Sequence, residues 1–357
     1  MLHFQAMSRL ASLLRLAFAL GMFSTAFPTN AANMPVQSPL RIYFVDVEGG
    51  QATLFVTPAG QSLLIDTGWP GNDSRDAKRI ADVAKEAGLK KIDYVLITHY
   101  HEDHVGGVPQ LVAQIPVGTF IDHGSNREMT DESPVRYYQA YRSELARGKY
   151  PRLVVKPGDK LPIKGMDATI VSSDGNIIGA PLPGSGRKNT SCISTLEEPA
   201  DQTENARSIG TLITFGKLRI LDLGDLTWDK EVQLMCPYNR LGTVDIYIVS
   251  HHGWKQSGSP ALVQGIHPQV AVMDNGARKG GSPSAWDIIH KTPGLEALWQ
   301  LHYSEEGGNA HNAPAEYIAN VQGPDQGNYL ELTAWPDGHY EVLNSRTGTK
   351  KEYRSRQ

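Results

Sequence analysis

Cysteine is scarce in this chain: Cys192 and Cys236 are the two in 357 residues. They form no CxxC pair, which excludes a thiolate zinc site. They leave room for one disulfide, and the free form is equally compatible with the spacing. A basic excess is missing as well. Lys and Arg number 34 against 38 Asp and Glu, a formal charge of −4, and no long basic run occurs. That balance disfavours a tight binder of long nucleic acid, although it leaves a local basic patch open. After Phe27 no stretch approaches the ~18 consecutive apolar residues that a membrane span needs. No exact internal repeat is found.

What precedes Ala32 reads as a targeting segment. Arg9 and Arg15 give it a positive flank, Leu16 to Phe27 an apolar core too short for a span, and Thr29-Asn30-Ala31 small residues for cleavage. Residues 1–31 are therefore expected to be a signal peptide and the protein to be periplasmic or secreted. No Cys follows the apolar core, so no lipid anchor is expected. Removing Arg9 and Arg15 takes Lys+Arg from 34 to 32 against 38 Asp+Glu, and the charge from −4 to −6. About 325 residues remain, enough for one large domain or two.

Short β-prone runs and helices then alternate. Arg41 to Val47, Ala52 to Thr57 and Ser62 to Ile65 read as a meander, with turns at Glu48-Gly49-Gly50 and Pro58-Ala59-Gly60. Asp73 or Ser74 starts a helix that Gly88 stops. Strands follow at 94–97, 117–121, 153–155 and 167–172, with a helix from Pro134 to Arg147. Residues 176–204, rich in Gly, Pro, Ser and Asn, read as a long loop, either a cleft lid or a surface loop. A hairpin spans Ile209 to Leu223, and further strands are read at 244–249, 270–273 and 297–301. Helices are expected at 229–235, after Ser259 and at 284–291. Tyr329 to Ala334 and Tyr340 to Leu343 form a closing hairpin, and the basic residues from Lys350 to Arg356 read as a frayed, solvated tail. Two mixed sheets, each with helices on its outer face, predict a four-layer αββα sandwich over residues 41–345.

The densest chemistry lies in Asp93-Tyr-Val-Leu-Ile-Thr-His99-Tyr-His101-Glu-Asp103-His104-Val-Gly106-Gly107. A buried strand empties into three imidazoles and a carboxylate. The two glycines suggest a tight turn and Pro109 a helix start. Four ligand-type residues within six positions are too many for one tetrahedral ion and point to two neighbouring metals. Other strand ends carry Asp66, Asp225 and His251. His99 and His101 would hold one metal. Asp103, His104 and His251 would hold the other, with Asp225 bridging the two. Asp66 would orient a ligand His by hydrogen bond.

Those residues, in the segments Asp66-Thr67-Gly68, His99-Tyr-His101-Glu-Asp103-His104, Gly224-Asp225 and Ser250-His251-His252-Gly253, resemble the metallo-β-lactamase superfamily. Phe44-Val45-Asp46-Val47-Glu48-Gly49-Gly50-Gln51-Ala52-Thr53 and Asn205-Ala206-Arg207-Ser208 resemble the hydrolase domain of ComEC-type competence proteins. Of such proteins only the hydrolase module is expected here, without the membrane channel. There are three departures. Asn205 stands where many superfamily members have His, as is usual in the ComEC-like group. Gly281-Ser282-Pro283-Ser284 stands where Gly-His-Pro-Ser is common. His302 occupies a strand end where Thr or Asp is more usual, and is open to a role as an acid or as a bland structural residue.

The resemblance implies hydrolysis by a hydroxide shared between two Zn²⁺ ions, with Mn²⁺ or Fe²⁺ as alternatives. The expected substrate is a phosphoric ester, either a small molecule or a phosphodiester. Asp103 would help orient the water. Asn205 and Ser208 would touch substrate or merely cap a loop. Alternation along an extended segment favours His251 as ligand and His252 as substrate contact or orienting residue, with the reverse open. Trp69 and Trp254 are candidates to wall the cleft. His123 and His311 read as structural or surface residues. The rival functions are a lactam or lactone hydrolase and a non-catalytic metal-binding module.

Overall fold

In β1 (Leu40–Phe44) Ile42 and Phe44 point one way and Tyr43 the other, yet all three are buried. A strand that is apolar on both faces needs cover on both. The structure, a computed structural model that describes residues 38–196 and 198–356, supplies that cover with helices outside and a second sheet inside. The expected signal peptide lies outside the described residues.

The first half of the chain runs through β1, β2 (Thr53–Val56), β3 (Ser62–Ile65), α1 (Arg75–Glu86), β4 (Ile92–Leu96), α2 (Glu102–Val105), α3 (Val108–Gln114), β5 (Val117–Asp122), α4 (Glu132–Gly148) and β6 (Arg152–Val154). The second half continues with β7 (Asp167–Ser173), β8 (Asn176–Ile177), β9 (Gly210–Phe215), β10 (Leu218–Asp222), α5 (Trp228–Met235), β11 (Ile246–Ile248), α6 (Pro260–Ile266), β12 (Val270–Met273), α7 (Pro283–His290), β13 (Ala297–His302) and β14 (Ile318–Asn320). Three strands close the chain: β15 (Leu330–Ala334), β16 (His339–Asn344) and β17 (Lys350–Arg354). One sheet has the order β17-β16-β15-β1-β2-β3-β4-β5-β6 and the other β14-β13-β12-β11-β10-β9-β7-β8. Each is antiparallel in one part and parallel in the other, the parallel runs being β3 to β6 and β10 to β14.

Three apolar clusters separate the layers. Between the sheets, Ile42, Phe44, Phe55 and Ile65 join Ile213, Ile220, Ile248 and Trp299. On one outer face Tyr43, Leu54, Leu64 and Val95 meet Ile80, Leu111 and Tyr141 from α1, α3 and α4. On the other, Leu221, Tyr247 and Ala271 meet Leu234, Leu262 and Ile289 from α5, α6 and α7. The fold is therefore the four-layer αββα arrangement.

Two expectations change. The basic segment is not a frayed tail: β17 pairs with β16, Tyr353 stacks on Tyr340 at 5.1 Å and accepts a hydrogen bond from Trp299 Nε1 at 3.0 Å. Its charged residues alternate outward, which suits an edge strand that must not pair with another chain. The loop at 176–204 carries a little regular structure, β8 and a 3-10 turn at Thr190–Ile193. A Cys192–Cys236 disulfide ties it to the end of α5.

Candidate metal centre

β4 ends at Leu96 and the chain stays extended to His101 before α2 begins. Alternation turns Tyr100 into the outer core, where its hydroxyl donates to Gly124 O at 2.8 Å. His99 and His101 therefore share the opposite side. The first turn of α2 then presents Asp103 and His104. Gly106 and Gly107 both have negative φ, so they do not serve a left-handed turn. A Cβ at either would lie 2.1 Å from a backbone oxygen, of Glu102 or of Thr67, so close packing of α2 on the Asp66 loop requires them.

Asp103, His104, Asp225 and His252 are all buried, and each offers one donor atom within 4.8 Å of the others. His104 Nε2 lies 3.2 Å from Asp103 Oδ2, Asp225 Oδ2 and His252 Nε2 alike. His252 Nε2 is 3.3 Å from Asp103 Oδ2 and 3.3 Å from Asp225 Oδ1. Behind His104, Asp66 Oδ2 sits 2.7 Å from Nδ1, and Thr98 holds Asp66 through its backbone N–H and its hydroxyl. Asp66 is itself in the left-handed region, φ 61°, a strained place for a non-glycine residue. Burial would raise the Asp225 pKa, but His104, His251 and His252 hold it well below the usual carboxylate range.

A second group stands beside the first. His99 Nε2 and His101 Nδ1 face each other at 3.1 Å, and His99 Nε2 is 3.9 Å from Asp225 Oδ2. Burial, with the neighbouring His104 and His101, pushes the His99 pKa well down. Its Nδ1 contacts Thr98 Oγ1 at 3.0 Å and Ser208 Oγ at 3.4 Å. Ser208 is fully buried there, beside His99. Asn205, three residues earlier, is buried with its Oδ1 lacking a hydrogen-bond partner.

The structure also reverses the order of the paired histidines. Strand-like alternation does not hold here, because His251 and His252 are consecutive left-handed residues, φ 53° and 54°, in a tight turn. His252 enters the four-residue cluster. His251 turns toward Asp225 Oδ2 at 3.4 Å and Ser257 Oγ at 3.3 Å, with Trp254 packed beside it at 5.8 Å between ring centroids.

These residues fit a divalent metal ion. Asp225 Oδ1 and Asn205 Oδ1 are buried without hydrogen-bond partners, a costly condition unless something else engages them. The imidazole and carboxylate donors suit a borderline-soft cation. Residues 45–187 match the family model described as Metallo-beta-lactamase superfamily. The chain carries a domain of that superfamily.

This metallo-beta-lactamase domain is homologous to two curated relatives. Recombination protein 2 of Haemophilus influenzae is 24% identical over 234 residues, 65% of this chain and 24% of that protein. ComE operon protein 3 of Bacillus subtilis is 28% identical over 190 residues, 53% of this chain and 20% of that protein. The chain spans about a quarter or less of the length of these relatives. A solved diphosphatase of the PhnP family aligns with a TM-score of 0.37 at 16% identity, over 80% of this chain and 84% of that one.

Several residues that no motif announced surround the metallo-beta-lactamase site. Glu128 Oε2 lies 3.1 Å from His101 Nε2 and accepts the Glu204 N–H at 2.8 Å. Glu204, fully buried, accepts from Arg127 N and faces His123 Nε2 at 2.9 Å. His123 is thus a structural partner, and His311 packs edge-on against Trp286. Lys279 contacts Asp103 and sits over the Trp69 ring. His302 lies outside the cluster, 2.6 Å from Asp46 Oδ1, while Arg79 takes Asp46 Oδ2 at 2.9 Å. Glu128, Glu204 and Lys279 are single polar residues with no spacing signal, so sequence reasoning had nothing to find them by.

Asp66→Asn tests the support behind His104. An amide can keep accepting the Thr98 backbone N–H at Oδ1 only by turning its own N–H toward His104 Nδ1, which puts the imidazole proton on Nε2 and removes the lone pair there. Metal affinity is expected to fall roughly 10- to 100-fold, measured by competition with a chelating dye. Unchanged affinity would mean Asp66 does not orient His104.

Proposed function

We propose that this chain is an exported hydrolase of phosphoric esters that works with two Zn²⁺ ions, Mn²⁺ or Fe²⁺ being able to use the same donors. The observation that carries the reading is the place of Asp225. One carboxylate faces His104 and His251 through Oδ2, with His99 at 3.9 Å from that same oxygen, and His252 through Oδ1. A dinuclear centre needs such a shared group. His99, His101 and Asp225, with Asn205 in reserve, would hold one ion. Asp103, His104, His252 and Asp225 would hold the other.

When bound, such a pair supplies a water acidified to a pKa of about 7 and Lewis acidity toward a phosphoryl oxygen. The protein's own work is orientation. Asp66 holds His104 with Nε2 turned into the cluster, Glu128 does the same for His101 Nδ1, and Thr98 with Ser208 fixes the His99 ring. His251, beside Asp225 and Trp254, is the proposed substrate-side imidazole.

The resemblance to ComEC-type hydrolase domains and the homology with Recombination protein 2 favour phosphoric esters over lactams. Export is supported by the Cys192–Cys236 disulfide, since such bonds persist in oxidising compartments. The test is a substrate panel on the purified chain with its metal content measured. Turnover of a bis-aryl phosphate is expected. Turnover of a chromogenic cephalosporin or a simple lactone alone would overturn the phosphoester reading. A fully metallated protein that turns over nothing would point to a binding module.

A further inference from the structure

Lys279 brings a fixed cation to the carboxylate that would hold the second metal. Its Nζ meets Asp103 Oδ2, the same oxygen that faces His104 Nε2 at 3.2 Å and His252 Nε2 at 3.3 Å. The ammonium also sits 5.0 Å from the centroid of the Trp69 ring, a cation–π contact that steadies it. Among the described residues no other Lys or Arg forms an ion pair with Asp103 or Asp225.

The loop that carries Lys279 is locked to the site. Gly276 N donates to Lys279 O at 2.8 Å and Gly281 N to His252 O at 2.9 Å. Gly280 has φ +80°, and a Cβ there would stand 2.1 Å from His252 O. The ammonium is therefore held at a set position relative to a proposed metal ligand. Its side chain is 22% exposed against 7% for Asp103, so it stands on the solvent side of the cluster.

We propose that Lys279 is the contact for an anionic phosphoryl oxygen of the substrate and competes with the second metal ion for Asp103. The identity of the anion rests on the phosphoester reading above. Two consequences have opposite signs. A metal ion and an ammonium that draw on one carboxylate repel each other, so Lys279 weakens metal binding. A charge-assisted hydrogen bond to a phosphoryl oxygen strengthens anion binding. A merely structural lysine would move both in the same direction.

The experiment uses the full chain as wild type, Lys279→Met and Lys279→Arg, with melting temperatures compared first. Zn²⁺ affinity is read against a chelating dye, inorganic phosphate binding to the zinc-loaded protein by calorimetry, and KM with bis-(4-nitrophenyl) phosphate and with neutral 4-nitrophenyl acetate. Lys279→Met is expected to bind phosphate about 10-fold more weakly and to raise KM for the anionic ester by a similar factor, well beyond any change in KM for the neutral ester. It should also bind Zn²⁺ several-fold more tightly. Lys279→Arg should bind phosphate within about threefold of wild type, because the charge is kept. Phosphate binding by Lys279→Met equal to wild type, or loss of zinc and phosphate together, overturns the proposal. A wild type that hydrolyses no phosphate ester but shows the phosphate-binding difference keeps the Lys279 assignment and removes the phosphoester reading.

Discussion

Asp225→Ala is expected to empty one metal site, weaken the other and remove hydrolysis. The carboxylate is 2% exposed and lies between two groups of imidazoles. Without it the His99 and His101 group keeps two nitrogens and loses its oxygen. The Asp103, His104 and His252 group keeps three donors. The first ion should therefore be lost entirely and the second weakened. Activity is expected to fall at least ~10³-fold, the equivalent of about 4 kcal/mol in the barrier. Metal content per chain, measured beside turnover, checks the order of loss. Asp225→Asn separates charge from shape: an amide oxygen is a poorer zinc ligand, so it should recover little. If Asp225→Ala keeps two metals per chain, the shared-carboxylate reading is wrong.

The second large effect is on stability. Cys192 and Cys236 are separated by 44 residues, and their bond closes the long loop between β8 and β9 onto α5. Loop-closure entropy for a ring of that size makes the crosslink worth about 4 kcal/mol. Replacing both cysteines with Ser should lower the melting temperature by roughly 8 °C at the smaller end of the usual scaling for large domains. The loss should appear equally in wild-type protein treated with reductant, and not in the double mutant so treated. The loop leads into Glu204 and Asn205, so limited proteolysis should find new cuts within residues 178–200. Equal melting temperatures with and without the bond would show that the loop is held by its other contacts. Those include Trp228 Nε1 donating to Leu196 O and Asn189 Nδ2 donating to Met235 O and Ala261 O.

Most of the site was legible because its signals are local. A strand that ends in H-x-H-x-D-H places four donors by backbone geometry alone. Asp66 and Asp225 announce themselves by following strands that run to the same rim. The choice between His251 and His252 was not legible, because it depends on a pair of left-handed residues that no propensity predicts. Glu128 and Lys279 were invisible for a different reason. Each is one polar residue in a loop, 27 and 176 positions from its partner, and only packing sets those separations. The strands at 318–320 and 350–354 are short and weakly patterned. Neighbouring strands, not intrinsic preference, make them form.

The sequence by itself determined the layer architecture, the metal-binding stretch and the group of chain ends that build the rim. Periodicity and short-range spacing encode those features. Tertiary structure alone decided which histidine joins His104, whether the two thiols meet, and which cation reaches Asp103. The C-terminal strands add to the sheet of the first half, through β15 on β1, and that too was settled only by folding. These are contacts between segments far apart in the chain. They follow from how whole layers pack against each other, and no window of neighbouring residues contains them.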